Sequence, residues 1–271
     1  MNCEKPITLH EKEDGYVNAR TVPCGSCFAC LSKRAQEWGF RLEQELKTSS
    51  AAIFLTLTLG DAECAKKGQQ TVNLEKATAQ KFLKRLRNNI APDTFKYYLV
   101  GEYGPKNLRP HYHAIIFNLD PKHHETVKTS WGLGFIQIRP ISTGRIRYVT
   151  GYIIGKNFFP ENLTKPFALM SKGLGLSYLE EKYNYHKENL INHVTYPGGM
   201  KGALPRYYKD KIFDKYEKSY NAIQNLQKDE EKYAKHINKI REQYAQEDRY
   251  FEQSREQYND RIIRKLNSKK L

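Results

Sequence analysis

No apolar run in this chain approaches the ~18 residues that a membrane-spanning helix needs, and the N-terminus carries no signal-like hydrophobic stretch. A membrane partner is therefore not expected. Cysteine is scarce, with five residues in 271, and without a secretory signal a disulfide framework is not expected either. Beyond Pro205 there is no proline, and beyond Gly202 no glycine, so the C-terminal quarter lacks the two residues that interrupt helices. What the chain has in excess is positive charge. Lys and Arg number 45 against 30 acids, a net charge of +15, and the isoelectric point is near 9.4. This balance favours a polyanionic partner, and the lack of membrane signals places nucleic acid first. Tyrosine is abundant at 19 residues. Many of these rings must pack, and others can stack on unpaired bases.

The pattern divides into three zones. Residues 1–50 hold a cysteine cluster followed by Leu31, Ala35, Trp38, Leu42 and Leu46 at helical spacing. Residues 51–205 alternate strand-like and helical runs. Ala52 to Leu59 is a buried-strand candidate, and 74–90 predicts a helix with Ala79, Phe82, Leu83, Leu86 and Ile90 inward. Lys96 to Tyr103 predicts a strand, Gly104 to Pro110 a turn, and His111 to Asn118 a second strand antiparallel to the first. Residues 145–156 predict a helix, weakened at Gly151 and Gly155 by ~1 kcal/mol each relative to alanine. Residues 157–205 are rich in proline, glycine and aromatics and yield no clear elements. Residues 206–271, with 17 basic and 12 acidic residues, predict one long helix or a helix pair, since Ile223, Leu226, Tyr233 and Ile237 fall near heptad positions.

Chemistry concentrates in the middle zone. Arg109-Pro110-His111-Tyr112-His113 opens an apolar run. Strand residues two apart share a face, so His111 and His113 can offer two imidazoles to one metal ion. Glu102 closes the preceding strand on the face of Tyr98 and Val100, and a hairpin through 104–110 brings it toward the histidines. Two histidines and a glutamate with open positions suit Mg²⁺, Mn²⁺ or Zn²⁺ acting as a Lewis acid. Tyr148 and Tyr152 are four apart, one helical face. In a tyrosine-rich chain that spacing alone describes packing; beside the histidines it describes two phenol nucleophiles, which need a polarised phosphate because a free phenol has a pKa of ~10. Lys156 lies two turns beyond Tyr148 on the same face, either a phosphate contact or a solvated lysine. Arg109, Arg145 and Arg147 flank these motifs, and Lys84 and Arg87 lie on the polar face of the 74–90 helix. All five are candidates for contacts to a DNA backbone.

Cys24-x-x-Cys27-x-x-Cys30 has the two-residue spacing that lets thiolates reach one metal, and Cys3 supplies a fourth ligand. A structural zinc site that staples the N-terminal segment to the following helix is the leading reading. An iron–sulfur cluster stays open, although position 34 is Arg34 where a ferredoxin run would place cysteine. Cys64 is expected to be a lone buried thiol.

In combination these residues resemble a known family. Phe54-Leu-Thr-Leu-Thr58, the His111–His113 strand, and Tyr148 with Tyr152, in that order, are similar to the three motifs of the HUH endonucleases. Val100-Gly-Glu-Tyr-Gly104 leading into Arg109-Pro-His-Tyr-His113 resembles, more narrowly, the replication initiators of microviruses. The cysteine run with Lys33-Arg34-Ala-Gln-Glu-Trp38, and Leu204-Pro-Arg-Tyr-Tyr208, resemble the gokushovirus branch. The likeness spans roughly residues 3–212. It implies an α+β fold, an antiparallel sheet with helices on both sides, preceded by the cysteine cluster and followed by a long C-terminal helix. It implies rolling-circle initiation in the bacterial host cytoplasm on a single-stranded phage origin, with Mg²⁺ or Mn²⁺ held by Glu102, His111 and His113. One tyrosine would nick and retain the 5′ phosphate, leaving a 3′ hydroxyl for the host polymerase; the other would cut the regenerated origin and allow ligation. A host helicase is a further expected partner. The phiX-type branch carries lysine at the places of Gly151 and Gly155, where this chain has only Lys156.

Three other classes compete. A relaxase or transposase strand-transferase shares the fold, but relaxases carry a third histidine where this chain has Ile115, and a single-tyrosine transposase has no use for Tyr152. A two-histidine phosphoesterase needs two His-x-Thr motifs, and only His193-Val-Thr195 is present. A zinc-stabilised, non-enzymatic nucleic-acid-binding protein would use the charge and cysteines and leave the tyrosines as packing.

Overall fold

The computed structural model describes residues 3–13, 16–61, 73–104, 109–153, 163–196 and 199–243. They fall into two compact units, 1–212 and 213–271.

In the first unit, period-2 alternation builds the centre. Strands β3 (Ala52–Leu59), β4 (Lys96–Tyr103), β5 (Pro110–Phe117), β6 (Gly134–Pro140) and β7 (Phe167–Met170) form one sheet in the order β6-β3-β5-β4-β7, with every neighbouring pair antiparallel. Successive side chains of β3 and β5 point to opposite faces, and both faces are apolar, so each needs a helical cover. On one side Leu55, Leu57, Leu99 and Ile116 meet Phe82 and Leu86 of helix α2 (Lys76–Ile90), with Val127 and Trp131 of α3 (His124–Trp131). On the other, Phe54, Tyr98, Val100 and Ile115 meet Leu42 of α1 (Phe28–Thr48) and Ile146 and Val149 of α4 (Thr143–Gly151). The α+β sandwich with helices on both sides is thereby observed.

The strands and the first two helices lie within a few residues of their expected positions, and the five inward residues of α2 are all buried. The tyrosine helix is shorter than the predicted 145–156. Ser142 caps it, accepting from the Arg145 amide at 3.3 Å, and it ends at Gly151, with Tyr152 at its C-cap. The stretch 157–205, unassigned from sequence, contains β7, helix α5 (Ser177–Glu188) and a small ribbon of β8 (His193–Thr195) and β9 (Lys201–Ala203). Its elements are short and draw their burial from distant partners, which a local pattern does not reveal. An N-terminal ribbon, β1 (Ile7–Glu13) with β2 (Tyr16–Val22), precedes α1. Near the end of the first unit lies α6 (Arg206–Ile212).

The second unit is described through α7 (Lys215–Gln243), in agreement with a helical C-terminal segment. Positions 244–271, with Lys156 and Cys64, lie outside the described residues. Among the described residues, no helix is long and apolar enough to cross a membrane.

Candidate active site

The sheet register places the chemistry. Glu102 stands directly opposite His111, and Val100 opposite His113; on the other side of β5, Thr56 is opposite His113 and Thr58 opposite His111. Partners across an antiparallel pair share a face, so Glu102, His111 and His113 all face the α1/α4 side.

His113 is buried, 6% exposed, and its ring is held at both nitrogens. Nε2 lies 2.8 Å from Glu102 Oε1, and Nδ1 lies 3.2 Å from Thr56 Oγ1. His111 is anchored differently: its Nδ1 is 2.6 Å from the carbonyl oxygen of Arg109. That bond assigns the Nδ1 proton and leaves Nε2 with the lone pair, the usual way a protein orients an imidazole for a metal. Gly104 makes room for this ring, since a Cβ there would stand 3.0 Å from His111 Cε1. The Glu102–His113 pair is in direct contact, while His111 is not drawn into the same cluster. Among the described residues, the four cysteines are the one group of three or more such side chains whose ligand atoms all lie within 4.8 Å of one another. The chemistry of the donor set nevertheless fits a divalent cation: a carboxylate touching one imidazole, with a second, pre-oriented imidazole on the same face.

Helix α4 brings the tyrosines over this pair. Ile146 and Val149 are fully buried and fasten the helix to the sheet, which turns the Tyr148–Tyr152 side toward His113. The His113 ring stacks on Tyr152, with centroids 5.6 Å apart and planes within 3°, and meets Tyr148 edge-on at 5.3 Å. The phenols meet each other at 4.9 Å, and Phe54 supports both His113 and Tyr148 from β3. Tyr148 is 50% exposed; Tyr152 is half-buried. Burial raises the Tyr148 pKa, offset in part by a hydrogen bond from Tyr152. Burial, then that same hydrogen bond, then the Glu102 charge push Tyr152 far above the ordinary phenol range. Both phenols are therefore protonated at neutral pH, and attack by either must be coupled to loss of its proton.

The basic candidates divide. Arg109 is tied down by the Leu59 carbonyl and Asp61. Arg145 donates to the Pro140 carbonyl at 2.6 Å, beside the N-terminus of the tyrosine helix. Arg147 is exposed on that helix. Lys84 and Arg87 lie on α2, which covers the opposite face of the sheet; Arg87 sits 5.2 Å over the rings of Phe95 and Tyr97. The structure does not bring these two to the tyrosines. Nothing fills the space beside Gly151 within 4 Å of a Cβ. The four cysteines do converge: Cys24 and Cys30 Sγ are 4.0 Å apart, and Cys3 and Cys27 Sγ 3.9 Å.

Phe54, Thr56 and Gly104 were not singled out as site residues from sequence. Alternation along Phe54-Leu-Thr-Leu-Thr58 is the signal that would have found the first two, because it places Phe54 and Thr56 on the histidine face once β3 and β5 are paired.

Comparison with known proteins agrees with this geometry. Residues 52–157 match the model of a family of replication-associated proteins of the ORF2 type. The chain is 28% identical over 226 residues to Replication-associated protein ORF2 of Spiroplasma virus 4, covering 74% of this chain and 71% of that protein. It is 28% identical over 254 residues to Replication-associated protein VP4 of Bdellovibrio phage phiMH2K, covering 78% and 76%. It is 25% identical to Replication-associated protein ORF4 of Chlamydia phage 1, over 73% of this chain and 56% of that protein. No solved structure matches. Residues 52–157, which hold the whole Glu–His–Tyr arrangement, are thus an ORF2-type replication-associated region, in a chain similar to the replication-associated proteins of Spiroplasma, Bdellovibrio and Chlamydia phages.

Proposed function

We propose that this protein initiates rolling-circle replication by nicking and rejoining single-stranded origin DNA through a 5′-phosphotyrosine. The observation that carries this reading is the packing of two phenols, Tyr148 and Tyr152, on a histidine bonded to a carboxylate, with His113 at 5.3 and 5.6 Å from the two rings. A helix that merely packed would have no reason to place both hydroxyl-bearing rings over the most polar patch of an otherwise apolar sheet face.

Glu102, His111 and His113 would hold a divalent cation, Mg²⁺ or Mn²⁺, which supplies Lewis-acid polarisation of the scissile phosphate. The protein's own groups do the rest. The Tyr148 or Tyr152 oxygen attacks phosphorus in line; the bond from phosphorus to the 3′ oxygen breaks, the tyrosine loses its proton, and the departing oxygen gains one to become a 3′ hydroxyl. The second tyrosine repeats the attack at the regenerated origin, and the freed 3′ hydroxyl displaces the first tyrosine to close the circle. Arg145 and Arg147 lie on the tyrosine helix, where a strand entering the site would pass.

The test is incubation with labelled single-stranded DNA carrying the phage origin and Mg²⁺ or Mn²⁺. A denaturation-resistant adduct located by mass spectrometry on Tyr148 or Tyr152 is the expected result. The double variant Tyr148→Phe, Tyr152→Phe should bind DNA and form none, and His113→Ala should bind without cleaving. Binding by the wild-type protein with no adduct under either metal would return the tyrosines to a packing role and favour a non-enzymatic DNA-binding protein.

A further inference from the structure

Outside the tyrosine site, the strongest constellation in the molecule is the cysteine cluster, and its geometry can be compared with that of a bound metal. In a regular tetrahedron of thiolates around zinc, Zn–S bonds of about 2.3 Å place the sulfurs ~3.8 Å from one another. The two shortest separations here are 3.9 Å, Cys3 to Cys27, and 4.0 Å, Cys24 to Cys30. All four sulfurs lie within 4.8 Å of one another. A disulfide would require ~2.05 Å between two of them, and all four are free thiols. An iron–sulfur cluster distributes its thiolates over two or more irons, whereas these sulfurs converge on one point.

The backbone around them is arranged as a metal site's outer shell is. Gly25, with φ of +74°, turns the chain between Cys24 and Cys27 in the left-handed region that glycine adopts without penalty. The Cys27 amide then donates to Cys24 Sγ at 3.3 Å, the Cys24 amide to Cys3 Sγ at 3.2 Å, and Ser26 Oγ to Cys24 Sγ at 3.6 Å. Such donors stabilise thiolates over thiols. Cys27 is also the N-cap of α1 and makes no side-chain cap bond to its helix, so its sulfur is free to turn toward the cluster.

We propose that Cys3, Cys24, Cys27 and Cys30 bind one Zn²⁺ as a closed structural site that clasps the N-terminal ribbon to α1. Cys3 precedes β1 and Cys24 follows β2, so the ion would close the base of the β1–β2 ribbon and join it to the first turn of α1. That turn bears on the tyrosine helix: Leu31 and Ala35 of α1 pack on Ile153, the residue after Tyr152. The site is closed because all four positions around the metal are thiolates, which leaves none for substrate.

The test is elemental analysis of the full-length chain, purified under reducing conditions without chelator or metal-affinity resin. Equimolar zinc is expected, released in step with the blocking of four thiols by a mercurial. Cobalt reconstitution should produce the intense visible bands of a tetrathiolate. Cys24→Ser and Cys27→Ser should lose the zinc, whereas Cys64→Ser and His113→Ala should each keep it, the latter separating this site from the tyrosine site. Because a cysteine variant can misfold, the wild-type metal content and cobalt spectrum decide the matter without any substitution. Iron with inorganic sulfide, wild-type protein that takes up neither zinc nor cobalt when reduced, or zinc retained in both Cys24→Ser and Cys27→Ser would overturn the proposal.

Discussion

Tyr148 and Tyr152 share a helix face but not an environment. Tyr148 is half exposed and accepts a hydrogen bond from its neighbour, while Tyr152 stacks flat on His113, which confines its ring. A strand arriving from solvent meets Tyr148 first. In Tyr148→Phe the first covalent adduct should fall by at least ~10²-fold, as expected when a nucleophile is removed, whereas Tyr152→Phe should still form an adduct on Tyr148 and lose circle closure. Quantified adduct and ligated product from an origin oligonucleotide check this; an adduct that persists undiminished in Tyr148→Phe would reverse the order.

Two elements carry most of what can be tested about the scaffold. Phe82 of α2 is fully buried and meets Trp131 of α3 edge-on at 5.7 Å, joining the two helices that cover the face opposite the site. Phe82→Ala should cost about 3–5 kcal/mol of stability, read from urea unfolding, because a large ring leaves a cavity that the sheet cannot close. In α5, His186 has no exposed surface. It donates from Nδ1 to the Ile191 carbonyl at 2.6 Å and accepts at Nε2 from the Tyr178 hydroxyl at 2.8 Å. Burial holds its pKa below the ordinary 6.5. The unfolded chain therefore takes up a proton near 6.5 that the folded chain refuses, so this contribution to stability is intact above that pH and declines as pH falls below it. The thermal midpoint of the wild-type protein should drop between about pH 7.5 and pH 5.5, and the drop should be smaller in His186→Gln.

At the scale of the whole molecule, the net charge of +15 governs encounter with a polyanion more than any single arginine does. Binding to single-stranded DNA should weaken linearly in log–log form with salt; about six phosphates neutralised would give a slope of about −4. The Tyr148→Phe, Tyr152→Phe variant should show the same slope, since phosphate contacts and the nucleophiles are separate. Equilibrium titrations at several salt concentrations measure it, and salt-independent binding would remove the electrostatic basis of the argument.

Local pattern determined a good deal. Alternation placed β3, β4 and β5, helical spacing placed α1 and α2 with the inward face of α2, and the i, i+2 and i, i+4 rules put His111 with His113 and Tyr148 with Tyr152. These rules work because pleat and helical pitch are properties of the backbone alone. What required tertiary structure was everything set by contact between elements. The 157–205 stretch became strand and helix only by packing on remote partners. Lys84 and Arg87 went to the far side of the sheet because α2 covers that face. Phe54 and Thr56 joined the site because β3 pairs with β5 in one particular register. Cys3 met Cys24, Cys27 and Cys30 because a ribbon of two strands folds the chain back on itself. Spacing names the residues that can share a face, but register and layer order, fixed by burial of both sheet faces, decide which faces meet.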